Sequence, residues 1–204
     1  MNIVCLDLEG VLIPEMWIAV AEATGTSELR LTTRDISDYD ELMQRRIAIL
    51  RREGISLPDI QAITRDLAPL EGAAGFLQAL RSHCQVAILS DTFVQFVAPI
   101  MARLGHPFLL CNELVTDSAG MIVDYRLRQP NGKKRAVIAF RELNLRVQAV
   151  GDSFNDIEML READRGYLFR PSDTVVNAHP DLPRTDDHRE LLEMITSDQP
   201  SPVE

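Results

Sequence analysis

Cysteine and histidine are scarce in this chain of 204 residues, and the few present lie scattered. Cys5, Cys84 and Cys111 are an odd number without a CxxC pair, so neither a disulfide framework nor a zinc site is expected. Cys5 and Cys111 fall in apolar strands and read as small buried hydrophobes. His83, His106, His179 and His188 belong to no motif, which argues further against zinc. Long apolar runs are missing as well. Val86–Leu89, or Val94–Met101 with its Gln and Pro, fall far short of a membrane span. The opening Met1-Asn2-Ile3-Val4-Cys5 has no basic start and no signal-type apolar region, so a cytoplasmic protein off the membrane is expected. Positive charge is in deficit, 21 Lys and Arg against 31 Asp and Glu, for a net charge of −10. Nucleic acid, which binds through Lys and Arg on phosphates, is not an expected partner. What remains is 46% apolar and 25% charged, the mix of a globular chain with one buried core and room for a small appended module.

Asn2–Leu8 is almost continuously apolar, the pattern of a strand buried on both faces of a parallel sheet, and Asp7-Leu8-Glu9-Gly10 halts it. Gln85–Leu89 repeats the design before Ser90-Asp91-Thr92, and Val147–Val150 before Gly151-Asp152-Ser153. Such strands predict an open α/β sheet whose carboxyl edge forms a site. Helical spacing follows over Phe93–Leu104, Lys134–Leu145 and Asp156–Ala163, with a last helix over His188–Ile195 in an Asp- and Pro-rich tail. Leu109–Val115 and Met121–Leu127 flank Asp117-Ser118-Ala119-Gly120 and read as a hairpin. Pro14–Leu70 is far longer than one crossover needs and holds helical patterns at Glu15–Ala23, Asp40–Glu53 and Pro58–Leu67. Ser56 with Asp59 three residues on predicts a cap at the start of the last of these.

Asp7 and Glu9, two residues apart at a strand end, are expected on one side of the strand. Two carboxylates this close suit a divalent cation, and Mg²⁺ fits an oxygen-only shell. A carboxylate can also attack phosphorus, provided a neighbouring acid protonates the leaving alcohol and later activates water. Asp7 and Glu9 fit those two tasks. Ser90 offers a hydroxyl and an N–H to phosphate oxygens. Lys133 and Lys134, after Asn131-Gly132, combine a cation with helix N-terminal amides. Asp152 at a strand end can ligate a metal, with Asp156 four residues on to orient it. Each piece alone has a plain structural reading. Strand-end Asp caps helices, Ser forms turns, and a Lys pair can be a solvated helix start. Their order along one sheet edge is what points to phosphate chemistry.

Asp7-Leu8-Glu9-Gly10, Ser90, Lys133/Lys134 and Gly151–Asp156 resemble the four motifs of the haloacid dehalogenase superfamily of phosphatases. The resemblance spans nearly the whole chain and is similar in layout to the phosphoserine phosphatase branch, whose cap lies between the first two motifs. More narrowly, Asp7–Trp17, Arg46, Ser90–Phe93 and Gly151–Asp156 resemble its bacterial bifunctional phosphoserine phosphatase/phosphoserine:homoserine phosphotransferase subgroup. The resemblance implies a doubly wound, mostly parallel α/β core (1–13 and 71–204) with a small helical cap (14–70). It also implies a Mg²⁺-dependent phosphoserine phosphatase working through an aspartyl-phosphate, with homoserine as a second acceptor, and a homodimer. By the same route Asp7 is the nucleophile and Glu9 the general acid/base. The Asp7 carboxylate, the Glu9 backbone carbonyl and Asp152 hold the metal, with Asp156 behind them. Glu15 meets the substrate ammonium and Arg46 its carboxylate, the latter as a two-pronged fork. Ser90 and Lys133 or Lys134 serve the phosphate, Asn155 meets the phosphate or the acidic residue beside it, and Asp91 orients backbone or lends its N–H. Most of the superfamily has Asp where this chain has Glu9, which shifts the carboxylate by about one bond length. Two other readings compete: a phosphatase of the same kind for another small phosphometabolite, and a phospho-accepting signalling domain that does not turn over.

Overall fold

The computed structural model describes residues 1–32, 35–36 and 38–197. Three positions of the Pro14–Leu70 segment and the end of the acidic, proline-rich tail lie outside them. Seven strands form one sheet: β1 (Asn2–Leu6), β2 (Gln85–Phe93), β3 (Phe108–Thr116), β4 (Ile122–Arg126), β5 (Arg146–Gly151), β6 (Arg165–Phe169) and β7 (Arg184–Thr185). Their order is β4-β3-β2-β1-β5-β6-β7, parallel throughout except for the β3–β4 hairpin. β1 therefore runs between β2 and β5, so the three strands carrying the chemical residues are neighbours. The architecture is α/β, doubly wound and mostly parallel.

The helices are α1 (Met16–Thr24), α2 (Tyr39–Glu53), α3 (Leu57–Asp66), α4 (Ala73–Arg81), α5 (Val94–Met101), α6 (Gly132–Glu142), α7 (Ile157–Glu162), α8 (Asp173–Ala178) and α9 (His188–Ser197). Because side chains alternate along a strand, β1 feeds two cores. Ile3 and Cys5 pack with Val137 of α6 and Met159 of α7. Val4 and Leu6 face the other way, toward Phe76 of α4, Phe96 of α5 and Leu191 of α9. The buried Cys5 thiol is pushed up to about 12 by desolvation, so it serves as packing and not as a nucleophile.

α1, α2 and α3 all lie between β1 and β2, as the spacing predicted, and α3 opens with the expected reciprocal cap between Ser56 and Asp59. Gln61 of α3 donates from Nε2 to the Gln95 carbonyl at 3.0 Å. That carbonyl is the one Pro99, four residues on, cannot bond for want of an N–H. A helix defect in the core thus becomes a tie to the inserted helices.

Several boundaries differ from the sequence reading. β1 stops at Leu6; the Asp7 N–H still bonds the Val150 carbonyl of β5 at 2.9 Å, and the chain then turns, with the Leu12 and Ile13 N–H groups donating to the Leu8 carbonyl. β2 does not halt at Ser90; it runs on to Phe93 through a register shift against β3. α5 ends at Met101, short of Leu104, and the chain passes through turns to Gly105 at φ +71°. α6 starts two residues early at Gly132, and Phe154–Asp156 forms a 3-10 turn ahead of α7. β6, β7, α4 and α8 are not among the expected elements; β7 is only two residues long and α4 opens on Ala-Ala-Gly.

Candidate active site

Asp7, Ser90 and Asp152 emerge at adjoining strand ends, and α6 supplies the cation between them. Lys133 is buried, with its ammonium 2.7 Å from Asp156 Oδ1, 3.0 Å from Asp7 Oδ1 and 3.5 Å from Asp91 Oδ2. Burial alone pulls the Lys133 pKa down, but Asp156, Asp7 and Asp91 together push it well above its usual range. Lys134, one residue on, points elsewhere. It is partly exposed and pairs with Glu158 at 3.5 Å, so it does not join the carboxylates. A rotation of about 100° per residue separates the two lysines.

Asp7 accepts the Leu8 N–H at 2.7 Å on the same Oδ1 that faces Lys133. Carboxylate oxygens of Asp7, Asp152 and Asp156 lie within 4.8 Å of one another. Burial and then Asp156 push Asp7 well above the carboxylate range, against the pull of Lys133. Burial, again with Asp156, pushes Asp152 up to about 7. Three converging acids with one lysine leave an excess of negative charge in a desolvated place, which is what a divalent cation relieves. Asp156 itself is already engaged: Oδ1 with Lys133, and Oδ2 accepting the N–H groups of Asp152 and Ser153 at 3.1 Å each.

Glu9 departs from the picture of two acids side by side. It is absent from the carboxylate cluster, and its Oε2 accepts the N–H of Met16, the first residue of α1, at 2.9 Å. The longer arm of Glu is thus anchored on the inserted helices. Glu9 still lines a cavity of about 570 Å³ together with Asp7, Glu15, Arg46, Ser90, Asp91, Lys133, Asp152 and Asn155, which gathers nearly all the sequence candidates. Lys134 is outside that group, and Asp156 lies beneath it.

Arg46, although one of an Arg-Arg pair in α2, does not face solvent. It is buried, its guanidinium lies 4.4 Å over the Trp17 ring, and it donates to the Leu31 carbonyl at 2.8 Å. Its Nε has no acceptor among the described residues, and burial pulls its pKa down to about 10. Glu15 stands just ahead of α1 without a side-chain capping bond. A buried cation so placed, opening on a cavity, is suited to a ligand carboxylate. Ser90 Oγ accepts the Thr92 N–H at 3.2 Å, and Asn155 Nδ2 donates to Asp91 Oδ2 at 3.2 Å. Tyr39, Trp17 and Phe154 line the same cavity; Trp17 and Phe154 fall inside the Asp7–Trp17 and Gly151–Asp156 blocks without a role of their own, and Tyr39 lies outside every motif, just behind the capping residue Asp38.

The model of the haloacid dehalogenase-like hydrolase family matches residues 1–164. A protein named phosphoserine phosphatase from Pseudomonas syringae pv. tomato is 52% identical over 93% of this chain and 80% of its own length. Phosphoserine phosphatase ThrH of Pseudomonas aeruginosa is 50% identical over 94% and 93%. Among solved structures, an apo phosphoserine phosphatase superposes with a TM-score of 0.77 at 21% identity, covering 94% of this chain and 98% of that one. A phospho-aspartyl intermediate analogue of phosphoserine phosphatase gives 0.77 at 19%, covering 95% and 98%. The matched stretch takes in the strand-end acids, the buried lysine and the helices inserted after β1, and this chain belongs to the haloacid dehalogenase-like hydrolase family.

Proposed function

We propose that this protein is a Mg²⁺-dependent phosphoserine phosphatase that works through a phospho-aspartate on Asp7 and also passes the phosphoryl group to homoserine. One observation carries the reading: a single cavity has the Asp7–Lys133 pair and a buried Arg46 on its walls. Phosphate chemistry and amino-acid recognition are thereby offered in one pocket. The names of the two relatives at 50–52% identity support the substrate, and that of ThrH supports the branch.

In this reading residues 14–70 form a cap over a core of 1–13 and 71–204. Asp7, the Glu9 backbone carbonyl and Asp152 hold Mg²⁺, while Asp156, occupied by Lys133 and two backbone amides, keeps Asp152 in place. The cation when bound offsets the charge of the acids and of the phosphate, and it keeps Asp7 ionised despite burial. Lys133 and Ser90 take phosphate oxygens, so positioning and electrostatics dominate. Arg46 receives the substrate carboxylate and Glu15 its ammonium. Asp7 forms an O–P bond as the ester P–O bond breaks, and Glu9 gives its proton to the departing serine oxygen. Glu9 then removes a proton from water, whose oxygen bonds to phosphorus and frees Asp7 and inorganic phosphate. When homoserine supplies the hydroxyl instead, the product is phosphohomoserine. With its carboxylate anchored on Met16, Glu9 stays near the cap, where an amino-acid alcohol would sit.

The test is turnover of a panel of phosphorylated amino acids and sugars, with and without Mg²⁺ and homoserine. Phosphoserine should be preferred, homoserine should divert part of the phosphate, and Asp7→Asn should be inactive while keeping its circular dichroism. An active Asp7→Asn protein would end the covalent mechanism, and preference for a sugar phosphate would end the substrate assignment.

A further inference from the structure

The catalytic cleft shares a wall with a second cavity of about 530 Å³. Tyr39, Ser90, Asp91, Lys133, Phe154 and Asn155 border both spaces. Asp91 is the hub of that wall. Its carbonyl oxygen accepts the Tyr39 hydroxyl at 3.1 Å and Asn112 Nδ2 at 3.0 Å, and its carboxylate faces Asn155 and Lys133. Five of the six residues come from β2, α6 and the turn before α7. Tyr39 comes from the inserted helices, as the first residue of α2.

Its place is well fixed. Asp38 caps α2 by accepting the N–H groups of Asp40 and Glu41 at 2.9 and 3.1 Å. The Tyr39 ring meets Tyr125 of β4 edge-on at 5.8 Å, and the Tyr125 hydroxyl donates to Asp40 Oδ1 at 2.7 Å. Burial pushes the Tyr39 hydroxyl pKa up, which keeps it a donor. Beyond it, the second cavity is floored by Leu89, Leu110, Leu127 and Met159, with Arg128 and Lys134 on its walls.

We propose that Tyr39 is the residue that sets the size of the alcohol the site will process: its ring closes the cleft against the apolar cavity behind it. The inference rests on the phosphomonoesterase reading above. An amino-acid alcohol needs no space beyond the cleft, whereas an aromatic alcohol, though the cleft admits it, would gain an apolar surface to lie on if the ring did not stand between the two spaces. Removing the ring joins the two cavities and gives an apolar leaving group a floor of its own.

The experiment compares kcat/KM for phosphoserine and naphthyl phosphate in wild type, Tyr39→Ala, Tyr39→Leu and Tyr39→Phe. The naphthyl-to-phosphoserine ratio should rise about tenfold or more in the Ala and Leu variants, chiefly through KM, and stay within about twofold in the Phe variant, which keeps the ring. Adding Leu127→Trp to Tyr39→Ala should cancel the gain by refilling the cavity from its far side. A ratio unchanged in both truncations, in protein with wild-type circular dichroism, overturns the proposal. Fluorescence titration with a naphthyl phosphonate, which needs no turnover, separates the two readings. If wild type cleaves neither ester, the phosphatase assignment fails. The size filter then stands or falls on whether Tyr39→Ala binds the phosphonate about tenfold tighter.

Discussion

Replacing Lys133 by Met keeps the length of the side chain and removes its charge from the most crowded electrostatic point in the molecule. The ammonium is buried against Asp156 at 2.7 Å and Asp7 at 3.0 Å, with Asp91 at 3.5 Å. Removing one partner of a buried ion pair costs about 3–5 kcal/mol, because the remaining charges are left uncompensated. For a chain of this size that corresponds to a fall in Tm of roughly 6–20 °C. Lys133 also pulls Asp7 downward against burial, so the variant's Asp7 should titrate still higher. A carboxyl raised in the folded state loses its stabilising contribution as pH rises, and the penalty should therefore be larger at pH 8 than at pH 6. Catalysis loses a preorganised cation, worth about 10²–10³ in kcat. Lys134→Ala is the internal contrast. Its pair with Glu158 is 3.5 Å long between partly exposed groups, so its removal should cost less than about 1 kcal/mol and leave turnover near wild type. Thermal melts at the two pH values and steady-state kinetics check both variants. Lys133→Met melting with wild type, or Lys134→Ala losing activity instead, would refute the assignment of the cation.

Metal-free protein should lose stability as pH rises from about 4 to about 7, because Asp152 holds its proton to about 7 in the folded state against an ordinary value of 3.8. Mg²⁺ competes with that proton, so its stabilisation should be larger at pH 8 than at pH 6, near 2.7 kcal/mol at a hundredfold excess over Kd. Scanning calorimetry with and without Mg²⁺ reads both trends, and a metal-free Tm that climbs between pH 5 and 8 contradicts them. Arg46→Ala should raise KM for phosphoserine by at least about tenfold, the loss of a charge-assisted fork, and leave cleavage of an aryl phosphate largely intact. Equal loss on both substrates would mean that Arg46 serves the packing of α2 against Trp17 of α1 and not the ligand.

The meeting of Asp7, Ser90 and Asp152 was legible because parallel strands share a carboxyl edge. An acid or hydroxyl that ends an apolar run must arrive there whatever the loops do. The choice between Lys133 and Lys134 was not legible, since it turns on where α6 begins, and Gly132 rather than Lys134 opens it. Arg46 and Glu9 were legible as chemistry but not as geometry. Their positions depend on how the inserted helices settle on the core, through Trp17 beneath Arg46 and Met16 at Glu9. Tyr39 left no chemical signal, because its importance comes from a backbone carbonyl 52 positions away in sequence.

Three acids converge here only because the backbone opposite them carries no side chain. A Cβ on Gly10 would stand 2.5 Å from Asp152 Oδ2, and one on Gly151 would stand 2.3 Å from the Cβ of Asp156. Gly10 has a further constraint, a φ of +76°, so Gly10→Ala combines backbone strain with a collision against Asp152. Gly25→Ala separates the two effects, since Gly25 sits at φ +69° with nothing within 4 Å of the added methyl. Strain alone costs about 1–2 kcal/mol and should appear in both variants. Displacement of Asp152 should appear only in Gly10→Ala, as loss of the Mg²⁺-dependent Tm shift and of about 100-fold or more in kcat/KM. If Gly25→Ala and Gly10→Ala lose stability alike and both keep their response to Mg²⁺, Asp152 tolerates the intruding methyl, and the close approach of Gly10 is not what holds the carboxylates together.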